Sequence, residues 1–115
     1  MTEIHVVEAT EAYTHLAVHG RLDSAGAGAV DLKLTSETVA RRKPAIVDLS
    51  DVPFIASLGI GLLVRIARSL ASHGVRMVAV APNEPVRGVL QLMMLDDLLP
   101  VVATRDEAIR ALGLE

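Results

Sequence analysis

Residues 44–74 form the stretch that limits the possible folds most. Pro44 is followed by Ala45-Ile46-Val47, apolar at consecutive positions, and the strand these begin is expected to end at Leu49. A short polar turn with Asp51 and Pro53 leads to an apolar helical run that begins at Ser57 and that Gly74 closes. A strand apolar at every position is covered on both faces, the habit of a central strand in an α/β sheet. In the helix the clearly polar residues Arg65, Arg68, Ser69 and Ser72 step by three, one and three and share one narrow stripe. The rest of its surface must pack against the sheet. Gly59 and Gly61 let its first turns approach a neighbouring backbone or a partner closely.

The other elements arrange themselves around this unit. Residues 4–7 and 14–18 read as a pair of antiparallel strands, the second with Leu16 and Val18 on one face and Ala17 on the other. After the Gly20-Arg21-Leu22-Asp23-Ser24 break, Asp23 or Ser24 caps a helix running to about Ala40, with Ala27, Val30, Leu34 and Thr38 at helical spacing. Val75 to Val80 is a second parallel strand, and Pro85 suits the first turn of a third helix with Val86, Val89, Leu90 and Met93 along one face. The pair Met93-Met94 is expected to fill core. Leu99 to Val102 makes a short strand, placed at an edge by Pro100, and Thr104 with Glu107 forms a capping box for a last helix to Leu112. The expected architecture is α/β: a mixed sheet of about four to five strands flanked by about four helices, one domain over residues 1–115.

Composition excludes several functions. The chain has 115 residues, a net charge of -3, and Tyr13 and Phe54 as its only Tyr, Phe or Trp residues. That lacks both the basic surface and the stacking platforms that hold nucleic acid, so no direct nucleic-acid partner is expected. Arg41-Arg42-Lys43 reads as a solvated turn. Without cysteine there is no disulfide framework and no thiolate metal site. The longest nearly uncharged run, Val52 to Val64, is interrupted by Pro53 and shorter than the ~20 residues of a membrane helix. The start, Met1-Thr2-Glu3-Ile4, is unlike a secretory signal. A cytoplasmic protein without membrane insertion is the expectation.

Catalysis finds no support either. His5, His15, His19 and His73 are the only imidazoles, read as exposed or edge-strand residues and lacking companions at metal-binding spacing. No nucleotide-binding glycine motif occurs, so no cofactor is expected. Ser57 is not a hydrolase nucleophile, because the glycine two positions before it is missing and His73 belongs at the far end of the same helix. Two readings of Ser57 stay open. As a helix N-cap its hydroxyl would satisfy a first-turn amide, contributing about 1 kcal/mol. As a phosphorylation site it would place the phosphoryl group against free amides and the positive end of the helix dipole. Near Asp23, Asp48 or Asp51 the added charge would change what can dock without refolding the chain.

The run from Ile46 to Leu63, with Asp48, Asp51 and Ala56-Ser57-Leu58-Gly59-Ile60-Gly61, resembles the central signature of STAS domains of the stand-alone anti-sigma factor antagonist type. Gly20-Arg21-Leu22-Asp23 is similar to the family's earlier Gly-x-Leu-Asp turn, and the likeness spans essentially the whole chain. It implies a partner-switching role in which the unphosphorylated domain binds an anti-sigma factor, itself a serine kinase of the histidine-kinase-like ATPase fold. Phosphorylation of Ser57 would break that complex and a PP2C-type phosphatase would restore it. The resemblance makes Asp23, Asp48, Asp51 and residues 56–61 the partner surface. Ala56 departs from the family, in which an acid often precedes the serine. Two other readings accompany this one: a constitutive adaptor in a larger assembly, such as a lipid-transport ATPase complex or a sensor scaffold, and a small-ligand-binding module. The Gly-rich helix start would also suit a homodimer.

Overall fold

The computed structural model describes residues 1–114, so the last residue of the expected domain lies outside the described residues. Strands β1 (Glu3–Ala9) and β2 (Thr14–His19) pair antiparallel, helix α1 (Ser24–Thr38) follows, and then β3 (Ala45–Asp51) and α2 (Ser57–Ser72). The chain continues through β4 (Met77–Val80), α3 (Glu84–Leu92), β5 (Val101–Val102) and α4 (Arg105–Ala111). The five strands lie in the order β1-β2-β3-β4-β5, with every pair after the first parallel. The fold is therefore the mixed sheet with four helices expected from the sequence. β3 and β1 are longer than expected, and β5 is shorter.

That order decides where the helices go. Each crossover between parallel strands steps the same way across the sheet, and right-handed crossovers then place α1, α2 and α3 on one face. The burial agrees. Val30 and Leu34 of α1, Leu63, Ile66 and Leu70 of α2, and Val86 and Leu90 of α3 share one aliphatic core with Leu16, Val18, Val47, Leu49 and Met77. The opposite face carries Tyr13, Ile46, Val78 and Val80, packed with Ala108 of α4 and its neighbours Ile109 and Leu112. Consecutive residues of β3 thus serve opposite cores, which is why Ala45-Ile46-Val47 is apolar throughout.

Helix ends follow their local chemistry. Asp23 caps α1 by accepting from Gly26 N–H at 2.8 Å, Asn83 caps α3 through Val86 N–H at 2.9 Å, and Thr104 caps α4 through Glu107 N–H at 3.1 Å. The Glu107 carboxylate reaches back to Ala103 N–H, one residue beyond the cap amide of the usual capping box. The basic turn is tied down, Arg41 to Glu37 one helical turn back at 2.7 Å and Lys43 to the distant Thr10 carbonyl at 3.1 Å.

Two expectations fail. Met93 and Met94 are not core, for Met94 is 87% exposed and its φ of 53° takes it out of the helical path. His15 is neither exposed nor at an edge. It is buried at 6% exposure in the second strand of the sheet, between β1 and β3.

Candidate functional site

The site forms where two loops are fastened together at the carboxyl end of the sheet. Leu22 and Ile55 make an isolated parallel bridge, Leu22 N–H donates to the Phe54 carbonyl at 2.9 Å, and Ala56 N–H donates to the Leu22 carbonyl at 3.0 Å. The Gly20–Asp23 turn is thereby held against the start of α2, although the two lie over thirty residues apart in sequence. Gly59 makes this closeness possible. A Cβ there would stand 2.3 Å from the Leu22 carbonyl oxygen.

Ser57 is exposed and is the first residue of α2, not its cap. The cap is Ala56, which is extended (φ -113°, ψ 177°) and whose carbonyl accepts from Ile60 N–H at 3.0 Å. Alanine brings no side-chain acceptor. Among the described residues α2 therefore begins without a side-chain cap, leaving first-turn amides with no intrahelical acceptor. Beside Ser57, Leu58 is 61% exposed, whereas Ile60 turns into the core. Gly61 is exposed, with open space around the position of its missing Cβ.

The acidic residues divide by role. Asp23 faces this junction as the cap of α1, and the Gly26 amide, helped by the Arg21 guanidinium at 3.1 Å, holds its carboxyl below the usual range. Arg21 also lies over the Phe54 ring, 4.6 Å from the centroid. Asp51 ends β3 exposed and pairs with His19 Nδ1 at 2.7 Å. Asp48 stands three residues earlier, in register with Ala17 and Val80, and by strand alternation shares the face of Ile46, away from α2. Its carboxylate accepts from Ser50 N–H at 2.8 Å and so shapes the end of the strand.

Asp23, Asp51 and the α2 start thus lie around one end of the sheet, with Asp48 beneath it. Sequence reasoning missed Arg21 and Phe54, whose stacking joins the two loops at their surface; the signal was the arginine inside the Gly-x-Leu-Asp turn. Among the described residues no group of histidines and carboxylates could hold a metal ion, and no helix is long and apolar enough to cross a membrane.

Comparison with known proteins agrees with this geometry. The family model of the STAS domain matches residues 4–108. A Thermotoga maritima protein provisionally named an anti-sigma factor antagonist is 42% identical over 60 residues, 52% of this chain and 53% of that protein. The matched stretch is about half the length of the curated relatives. A crystal structure from Thermotoga maritima, of a protein provisionally named in the same way, superposes with a TM-score of 0.82 at 27% identity, covering 97% of this chain and 94% of that one. The fold is shared as well with the anti-sigma factor antagonist SpoIIAA in its unphosphorylated form, at a TM-score of 0.77 and 23% identity over 100% of this chain and 99% of that one. The chain belongs to the STAS domain family.

Proposed function

We propose that this protein is an anti-sigma factor antagonist: a binding module without catalytic activity that sequesters an anti-sigma factor and is controlled by phosphorylation at Ser57. The names of its relatives supply the class. The observation that carries the reading is the exposed hydroxyl of Ser57 on an uncapped helix start, beside exposed Leu58 and open Gly61. Such a surface accepts a flat partner against residues 56–61, with Asp23 and Asp51 at its rim and Asp48 acting through the turn it shapes. A phosphoryl group would find first-turn amides here and leave the fold intact, while adding about -1.5 to -2 charges to the docking face. To act as a switch it need cost only about 3 kcal/mol, roughly a hundredfold in affinity. The partner in this reading is a serine kinase of the histidine-kinase-like ATPase fold, and a PP2C-type phosphatase resets the serine.

The test is affinity capture from native extract with wild type, Ser57→Ala and Ser57→Glu as baits. A kinase of that fold held by the first two and lost from the third is the expected result. Identical partners on all three would overturn the switch and favour a constitutive adaptor, the reading that Ala56, in place of an acid, supports.

A further inference from the structure

The face of the sheet away from α1–α3 holds a buried group that the proposed function does not use. His15 is buried, and among the described residues neither of its ring nitrogens has a hydrogen-bond partner. In register it lies between Glu8 of β1 and Ile46 of β3. Next to it is the polar clamp that fastens the first residue of α4 to the antiparallel strand pair. Arg105 donates to the Glu8 carboxylate at 2.8 Å and to the Tyr13 hydroxyl, and that hydroxyl donates to Glu8 at 2.6 Å. The Arg105 guanidinium also lies 5.7 Å from the Tyr13 ring centroid.

The charged and titratable groups around the imidazole are Glu8 from β1, Tyr13 from the residue just before its own strand, Asp48 from β3 and Arg105 from α4, with Asp106 beyond Arg105 at 3.4 Å. The part of β4 facing this side is Val78 and Val80.

We propose that α4 is an acid-releasable cover whose latch is His15. Neutral imidazole is tolerated beside this clamp. Imidazolium would be a buried cation beside Arg105, and it would compete with Arg105 for Glu8, the carboxylate that closes the clamp. Lifting α4 lets the ring reach water and uncovers Ile46, Val78 and Val80. Burial is the main influence that pushes the His15 imidazole below its ordinary value; Asp48 and Glu8 oppose the shift, and Arg105 adds to it. The direction of the linkage follows. Below about pH 6.5 the opened state takes up a proton that the closed state refuses, so opening becomes easier as pH falls, by at most about tenfold per pH unit for one proton. The effect levels off below the pKa of the closed state.

Amide hydrogen exchange of the full chain between pH 7.5 and 5.0, corrected for intrinsic exchange, tests this. The opening of residues 105–111 should rise towards that tenfold-per-unit limit while β3 and β4 stay protected, and His15→Leu should remove the slope. A histidine-selective NMR titration of wild type gives a reading independent of any variant, in which His15 should titrate below free imidazole. The proposal is overturned if α4 opens with the same pH slope in His15→Leu, if the whole sheet opens together, or if His15 titrates like free imidazole.

Discussion

Replacing Gly59 and Gly61 by alanine, one at a time, should give changes of opposite sign two residues apart on one helix. A Cβ at Gly59 would meet the Leu22 carbonyl oxygen at 2.3 Å, the Leu22 Cβ at 2.9 Å and the Ile55 Cγ1 at 3.1 Å. The oxygen has little room to retreat, because it already accepts from Ala56 N–H while Leu22 N–H is held by the Phe54 carbonyl. Overpacking costs about 1–3 kcal/mol, and an immobile backbone obstacle puts this case at the upper end. Alanine returns about 1 kcal/mol of helix propensity, leaving a net loss of about 2 kcal/mol. At Gly61 nothing lies within 4 Å of the added carbon, so only the gain of about 1 kcal/mol remains. The two variants should therefore differ by about 3 kcal/mol in urea unfolding, read from midpoints at a shared slope. Gly59→Ala should also weaken capture of the partner, since α2 must move off the Leu22 bridge. A Gly59→Ala protein as stable as wild type, or two variants shifted in the same direction, would refute the reasoning.

Met94→Gly should stabilise the chain by about 1 kcal/mol in the same assay, because a left-handed φ costs a side chain about that much and this side chain is almost wholly in solvent. Acid unfolding should depend on Glu8, whose carboxyl is held below the usual range first by the Tyr13 hydroxyl and then by Arg105. A lowered folded-state value gives stability that is present above the unfolded pKa of about 4.3 and is lost as pH falls through the folded one. Glu8→Gln should flatten that part of the stability curve, measured by thermal melts from pH 5 to 3.

The central unit was readable from sequence because its signals are local. A strand that opens with three consecutive apolar residues, a polar turn and a striped helix fix β3 and α2, and the glycine two residues into that helix points to the close approach at Leu22. The helix start at Ser57 was readable too, but the reading of Ser57 as its N-cap does not hold, since boundary signals favour a serine over an alanine as cap while the extended backbone belongs to Ala56. His15 was misplaced for a different reason. It lies on the second face of the sheet, where α4, some ninety residues later in the chain, packs against Tyr13, Ile46, Val78 and Val80, and no local pattern announces a helix returning there. Met93 and Met94 follow the helical spacing of Val86, Val89 and Leu90, but α3 ends at Leu92 and the spacing loses its meaning there.

The strand order has a consequence for how the chain is made. Every strand of this sheet is bonded only to the strand before it and the strand after it in sequence. A nascent chain can therefore lay the sheet down as it leaves the ribosome, each new strand finding its neighbour already in place and none waiting for a distant one. The junction at Leu22 and Gly59 closes in the middle of that sequence, once α2 has emerged. Helix α4 follows all five strands in sequence, so the element proposed to open most easily in acid joins a sheet that is already laid down.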